Sequence, residues 1–135
     1  MNNEHLSKLV DDLALARVAS DLLTAPGNIA IQSARVEQAR ARRDEARENL
    51  KLAEANAEAS AWMADNGAKL LADAKKAQTR AAVLSNPDVQ ATQKELAAAD
   101  SAYQQSQIDV ELWQNKLAAA RSLASLAAGL FNYLS

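Results

Sequence analysis

The chain has 135 residues, a length suited to a single domain, and alanine supplies 32 of them while aromatic residues make up 4% and cysteine is absent. Disulfides and thiolate metal sites are thereby excluded, and side chains this small leave little area for a large globular core. The net charge of −2 is unevenly spread: residues 1–28 carry two Lys/Arg against four Asp/Glu, residues 88–135 three against five, and residues 69–80 four against one, so the middle is the electropositive part.

Met1-Asn2-Asn3-Glu4-His5 lacks the basic-then-apolar pattern of a signal peptide, and no run of about 20 uncharged apolar residues follows, so the expectation is a cytoplasmic protein with no membrane role. Leu6, Leu9, Leu13, Ala16, Ser20 and Leu23 repeat at three- and four-residue spacing, which predicts a first helix over 4–23. Thr24-Ala25-Pro26-Gly27-Asn28 then reads as a turn, since Pro fixes φ and Gly supplies any positive φ. A helical arm over 28–84 follows. Its seam is Ile29, Val36, Arg43, Leu50, Ala57 and Ala64, with Asp65-Asn66-Gly67 as its main interruption and a third helical stretch from about Ala68 to Leu84 beyond it.

Ser85-Asn86-Pro87-Asp88 is a strong helix start: Asn86 can cap, Pro87 fits the first turn, and Asp88 suits the positive end of the dipole. From there Val89, Leu96, Tyr103, Val110, Leu117, Ala124 and Phe131 keep a heptad, accompanied by Thr92, Ala99, Ser106, Trp113, Ala120, Ala127 and Leu134. A 3.5-residue repeat this long predicts a coiled-coil helix of about 69 Å. The expected fold is all-α: one domain, with an N-terminal helix, a long antiparallel hairpin of the arm against a long helix over 86–120, and an oligomerising segment over 121–135. Leu123, Leu126, Leu130, Phe131 and Leu134 give that last segment more apolar surface than one seam uses, which predicts a homo-oligomer larger than a dimer, closed as a ring.

Enzymatic chemistry finds no footing: His5 is the single histidine, and no phosphate loop, nucleophile motif or metal-ligand spacing occurs, so neither cofactor nor metal is expected. Binding is better supplied. Arg40, Arg43, Arg47 and Lys51 fall within an arc of about 80°, and Lys69, Lys76 and Arg80 form a second stripe. Such stripes can follow a phosphate backbone, although alternating charges also describe a solvated helix face. Trp62, off the seam, can stack on an unpaired base or pack against the first helix or a neighbouring subunit. Trp113, on the seam, reads as core.

Lys75-Lys76-Ala77-Gln78-Thr79-Arg80-Ala81-Ala82-Val83-Leu84-Ser85-Asn86-Pro87-Asp88-Val89 resembles the middle of UvsY-type phage recombination mediators, where a lysine-bearing helix leads through Val-Leu-Ser into an Asp-Val helix start. The likeness extends to Trp62 and Gly67 upstream and to Tyr103, Trp113 and Arg121-Ser122 downstream, over most of residues 29–130. It implies a helical protein that forms rings through its C-terminal part, binds single-stranded DNA, and helps load a RecA-like recombinase onto strands coated by single-strand-binding protein. Two departures stand out: the family's basic residues before its aromatic-Gly segment have no counterpart in residues 55–61, and the net charge of −2 is mildly acidic. A coiled-coil scaffold, or an adaptor or inhibitor binding a protein partner, fits the heptads as well.

Overall fold

A computed structural model of the chain describes residues 3–12, 14–64 and 72–134. The fold is all-α, with helices α1 (Asn3–Asp12), α2 (Leu15–Ala64), α3 (Ala72–Ser85) and α4 (Pro87–Leu134). Among the described residues only Ala14 and Asn86 lie outside a helix. Two compact units are distinguished, one of residues 1–36 and 106–135, the other of residues 37–105.

In the first unit the helix boundaries differ from those expected. The first break comes at Ala14, which takes a left-handed φ of 48° and donates its N–H to the Asp11 carbonyl at 3.1 Å. Helix α2 then runs uninterrupted through Pro26 and Gly27, so residues 24–28 form no turn, and the helix expected over 4–23 is cut at its middle. Proline cannot donate to the Leu22 carbonyl and crowds it. The helix persists because Val18 and Ala25, one heptad apart, are buried at 5% and 0% exposure, and Ala120 and Ala127 on α4 are buried in the same unit. Pro26 faces solvent, and Thr24 Oγ1 donates to the Ser20 carbonyl at 2.8 Å. Packing of the Ala25 face outweighs the local preference of Pro-Gly for a turn.

In the second unit α2 and α4 run antiparallel. Arg43 of α2 meets Tyr103 of α4, while Ala57, further along α2, lines a cavity with Asn86 and Asp88 at the start of α4. Helix α3 also lies against the end of α2, with Trp62 beside Lys75. The third helical stretch expected from about Ala68 to Leu84 is α3, but the expected hairpin of 29–84 against 88–120 is not formed as such: α3 runs antiparallel to the end of α2 and sits on the same side of the hairpin as α4. Asp65-Asn66-Gly67 falls outside the described residues. The start of α4 follows expectation, since Asn86 Oδ1 accepts from the Asp88 and Val89 amides at 2.9 and 3.2 Å. Helix α4 then continues without a break from Pro87 to Leu134, into the segment expected over 121–135. Among the described residues of this unit, Ala46, Ala57 and Val89 are the buried apolar ones.

Candidate nucleic-acid interface

Trp62, Lys76 and Arg80, picked out separately in the sequence, come together in the second unit. They line one groove of about 320 Å³ between α2 and α3, with Glu54, Glu58, Thr79 and Val83. Antiparallel packing explains the meeting: residues at four-residue steps on α2 (54, 58, 62) face a stripe of α3 (76, 79, 80, 83). Trp62 is 46% exposed, and Lys75 Nζ lies 4.0 Å from its ring centroid, so one indole face carries a cation. Lys75 escaped the sequence reading because it lies outside the 69, 76, 80 stripe; its signal is the pairing with an aromatic across the hairpin. Lys69 lies outside the described residues. Lys76 and Arg80 are exposed, and among the described residues no ion pair within 4.0 Å ties them to Glu54 or Glu58.

The stripe on α2 divides. Arg43 is turned inward: its side chain is 19% exposed, its guanidinium carbon lies 4.2 Å from the Tyr103 ring centroid, and its Nε is buried without a partner. As a seam residue it fits the heptad; as a phosphate ligand it is spent on Tyr103. Arg40 donates to the Tyr103 hydroxyl at 3.5 Å and pairs with Glu37 at 3.3 Å. That hydrogen bond holds the phenol below the usual tyrosine range, and together with the Glu37 charge it holds the guanidinium above its own. Arg47 is exposed, and Lys51 pairs with Glu48 at 3.3 Å with both side chains 73% exposed. Exposed pairs of this kind are worth at most about 1 kcal/mol, so they yield readily to a competing phosphate.

The C-terminal candidates divide as well. Leu123, Leu126 and Leu134 are exposed at 37%, 53% and 39%, whereas Leu130 and Phe131 are half-buried within the chain. Trp113 is half-buried, with Lys116 Nζ 4.4 Å from its ring centroid. Among the described residues no helix is long and apolar enough to cross a membrane, and no group of three or more His, Cys, Asp and Glu is placed to hold a metal ion.

No family model matches the chain, and no curated protein or solved structure matches it either.

Proposed function

We propose that the protein is a non-enzymatic recombination mediator. In this reading it binds single-stranded DNA and helps load a RecA-like recombinase onto strands coated by single-strand-binding protein, in the cytoplasm, which is that of the host if a phage encodes it. The observation that carries this reading is the α2/α3 groove. It gathers a half-exposed indole and the exposed cations Lys76 and Arg80, from two helices, on one surface, with Lys75 standing over the same indole. Bases stack on such a ring whatever their identity, and the exposed cations meet phosphates. Glu54 and Glu58 on the α2 wall repel phosphate, so the backbone follows α3 and the bases lie toward α2, where carboxylates accept from exocyclic amines. One groove offers few contacts; a homo-oligomeric ring held by the apolar C-terminal residues repeats it and multiplies valency.

The test is anisotropy of a labelled oligonucleotide against its duplex at 50 and 200 mM salt. Preference for the single strand and a steep loss of affinity with salt are expected. Trp62→Ala should weaken binding by about 1–3 kcal/mol. Equal affinity at both salt concentrations, or binding unchanged by Lys76→Glu with Arg80→Glu, rejects the reading.

A scaffold or adaptor role is favoured by a different observation. Ile108, Leu112 and Leu126 are more than half exposed. Surface of this kind serves protein partners whether or not DNA is bound.

A further inference from the structure

The groove between α2 and α3 offers a ligand more than a ring and two cations. Glu58 stands one helical turn before Trp62 on the same face of α2, about 6 Å along the axis, and Glu54 stands a further turn away. The antiparallel register set by Lys75 on Trp62 puts Thr79 and Arg80 level with Glu58, and Val83 level with Glu54. Glu58 is exposed and, among the described residues, takes part in no ion pair within 4.0 Å, so its two oxygens remain open to a ligand. Lys75 covers the indole but does not line the groove, so a base entering from the groove takes the ring face that Lys75 leaves.

We propose that the groove selects guanine: the base stacks on Trp62, the Glu58 carboxylate accepts from its N1–H and N2–H, and Lys76 and Arg80 take the adjoining phosphates. The proposal rests on the single-strand reading above and names the base which that site prefers. Stacking on an indole is indifferent to the base, so the choice falls to whatever group meets the base's edge. Here that group is a carboxylate, which only accepts. The Watson–Crick edge of guanine presents two adjacent donors, and they match the two carboxylate oxygens as a fork. Adenine and cytosine each present one amine beside a ring-nitrogen lone pair, which would face the second oxygen. Thymine presents one N–H between two carbonyls. In a single strand this edge is unpaired and open to a side chain. Glu54, about 12 Å along the axis from Trp62, lies beyond the reach of the same base.

The test is anisotropy of labelled thymine oligonucleotides at about 50 mM salt, with isolated thymines replaced by guanine, adenine or inosine. Isolated guanines avoid four-stranded structures, and inosine keeps N1–H but lacks the 2-amino group. Guanine should tighten binding about fivefold or more over thymine and adenine, and inosine should lose most of that gain. Glu58→Gln, a conservative change on an exposed helix face, should bring guanine and thymine strands within about twofold of each other, with the thymine strand bound at least as well as before. Glu54→Gln should keep the preference. Free guanosine monophosphate as competitor separates the sources: displacement of the strand by it and not by thymidine monophosphate shows that one nucleotide suffices, and displacement by neither assigns the site to guanine within a strand. Guanine and thymine strands bound alike, inosine bound as well as guanine, or a preference that survives Glu58→Gln or disappears with Glu54→Gln overturns the proposal. Salt-sensitive binding of single strands with no base preference discards guanine selection and keeps the reading above, whereas no binding of any oligonucleotide discards both.

Discussion

Replacing Pro26 by alanine is the sharpest test of how the first unit is built. In the structure Pro26 is the twelfth residue of α2, well beyond the first turn where proline is tolerated. It removes one hydrogen bond to the Leu22 carbonyl and crowds that oxygen, and its ring points to solvent, so alanine forfeits no buried contact. An interior proline costs a helix about 3 kcal/mol relative to alanine. Its restriction of the unfolded chain returns about 0.4–1 kcal/mol of that. A net gain of about 2–3 kcal/mol is expected, or roughly 6–15 °C in melting temperature for a chain of this size. Circular dichroism at 222 nm, at fixed chain concentration, measures it, and amide exchange over residues 22–30 should slow in parallel. Were residues 24–28 a turn, proline would be helping, and alanine would lower stability by about 0.4–1 kcal/mol. A variant that is less stable, or unchanged within about 0.5 kcal/mol with unaltered exchange, refutes the continuous helix.

Ala14→Gly should stabilise by about 1 kcal/mol, because glycine takes the left-handed φ of 48° without the alanine penalty; inside an unbroken helix it would instead cost about as much, so the sign decides in urea titration. Asn86→Ala should cost about 1 kcal/mol and speed exchange of the Asp88 and Val89 amides, which lose their cap acceptor. Arg40→Ala, in a Tyr133→Phe background, should move the ionisation of Tyr103 to higher pH when followed at 295 nm, since the cation's hydrogen bond is removed. The sign for stability follows: a depressed folded-state pKa stabilises above the ordinary tyrosine pKa and contributes nothing once the pH falls below the depressed one. Any effect of Arg40 transmitted through Tyr103 ionisation is therefore confined to alkaline solution.

Where local chemistry and packing agreed, the sequence was enough. Asn-Pro-Asp at 86–88 satisfies a helix start by itself, and the heptad after Val89 needs only one partner, so α4 was legible. Pro26-Gly27 was misread because their turn chemistry is local while the opposing term, burial of Val18 and Ala25, depends on a segment about a hundred residues away. Ala14 carries no signal, since alanine at positive φ is imposed by context. For the interface, Trp62, Lys76 and Arg80 were legible as residue types, but their meeting required knowing that the chain reverses between Ala64 and Ala72. Arg43 belonged to two patterns at once, seam and stripe, and only the position of Tyr103 chose between them.

That stack has a mechanical consequence. Among the described residues of the second unit the buried apolar side chains are Ala46, Ala57 and Val89, and groups this small resist a slip of one heptad, about 10.5 Å along the axis, less than large interlocking side chains would. Sliding of this kind is opposed where a seam side chain has a single possible counterpart. Arg43 seated on Tyr103 is such a place. Losing either member would leave helical content nearly intact while freeing α2 to creep along α4, and the loss would show first as heterogeneous spacing between labels on the two helices.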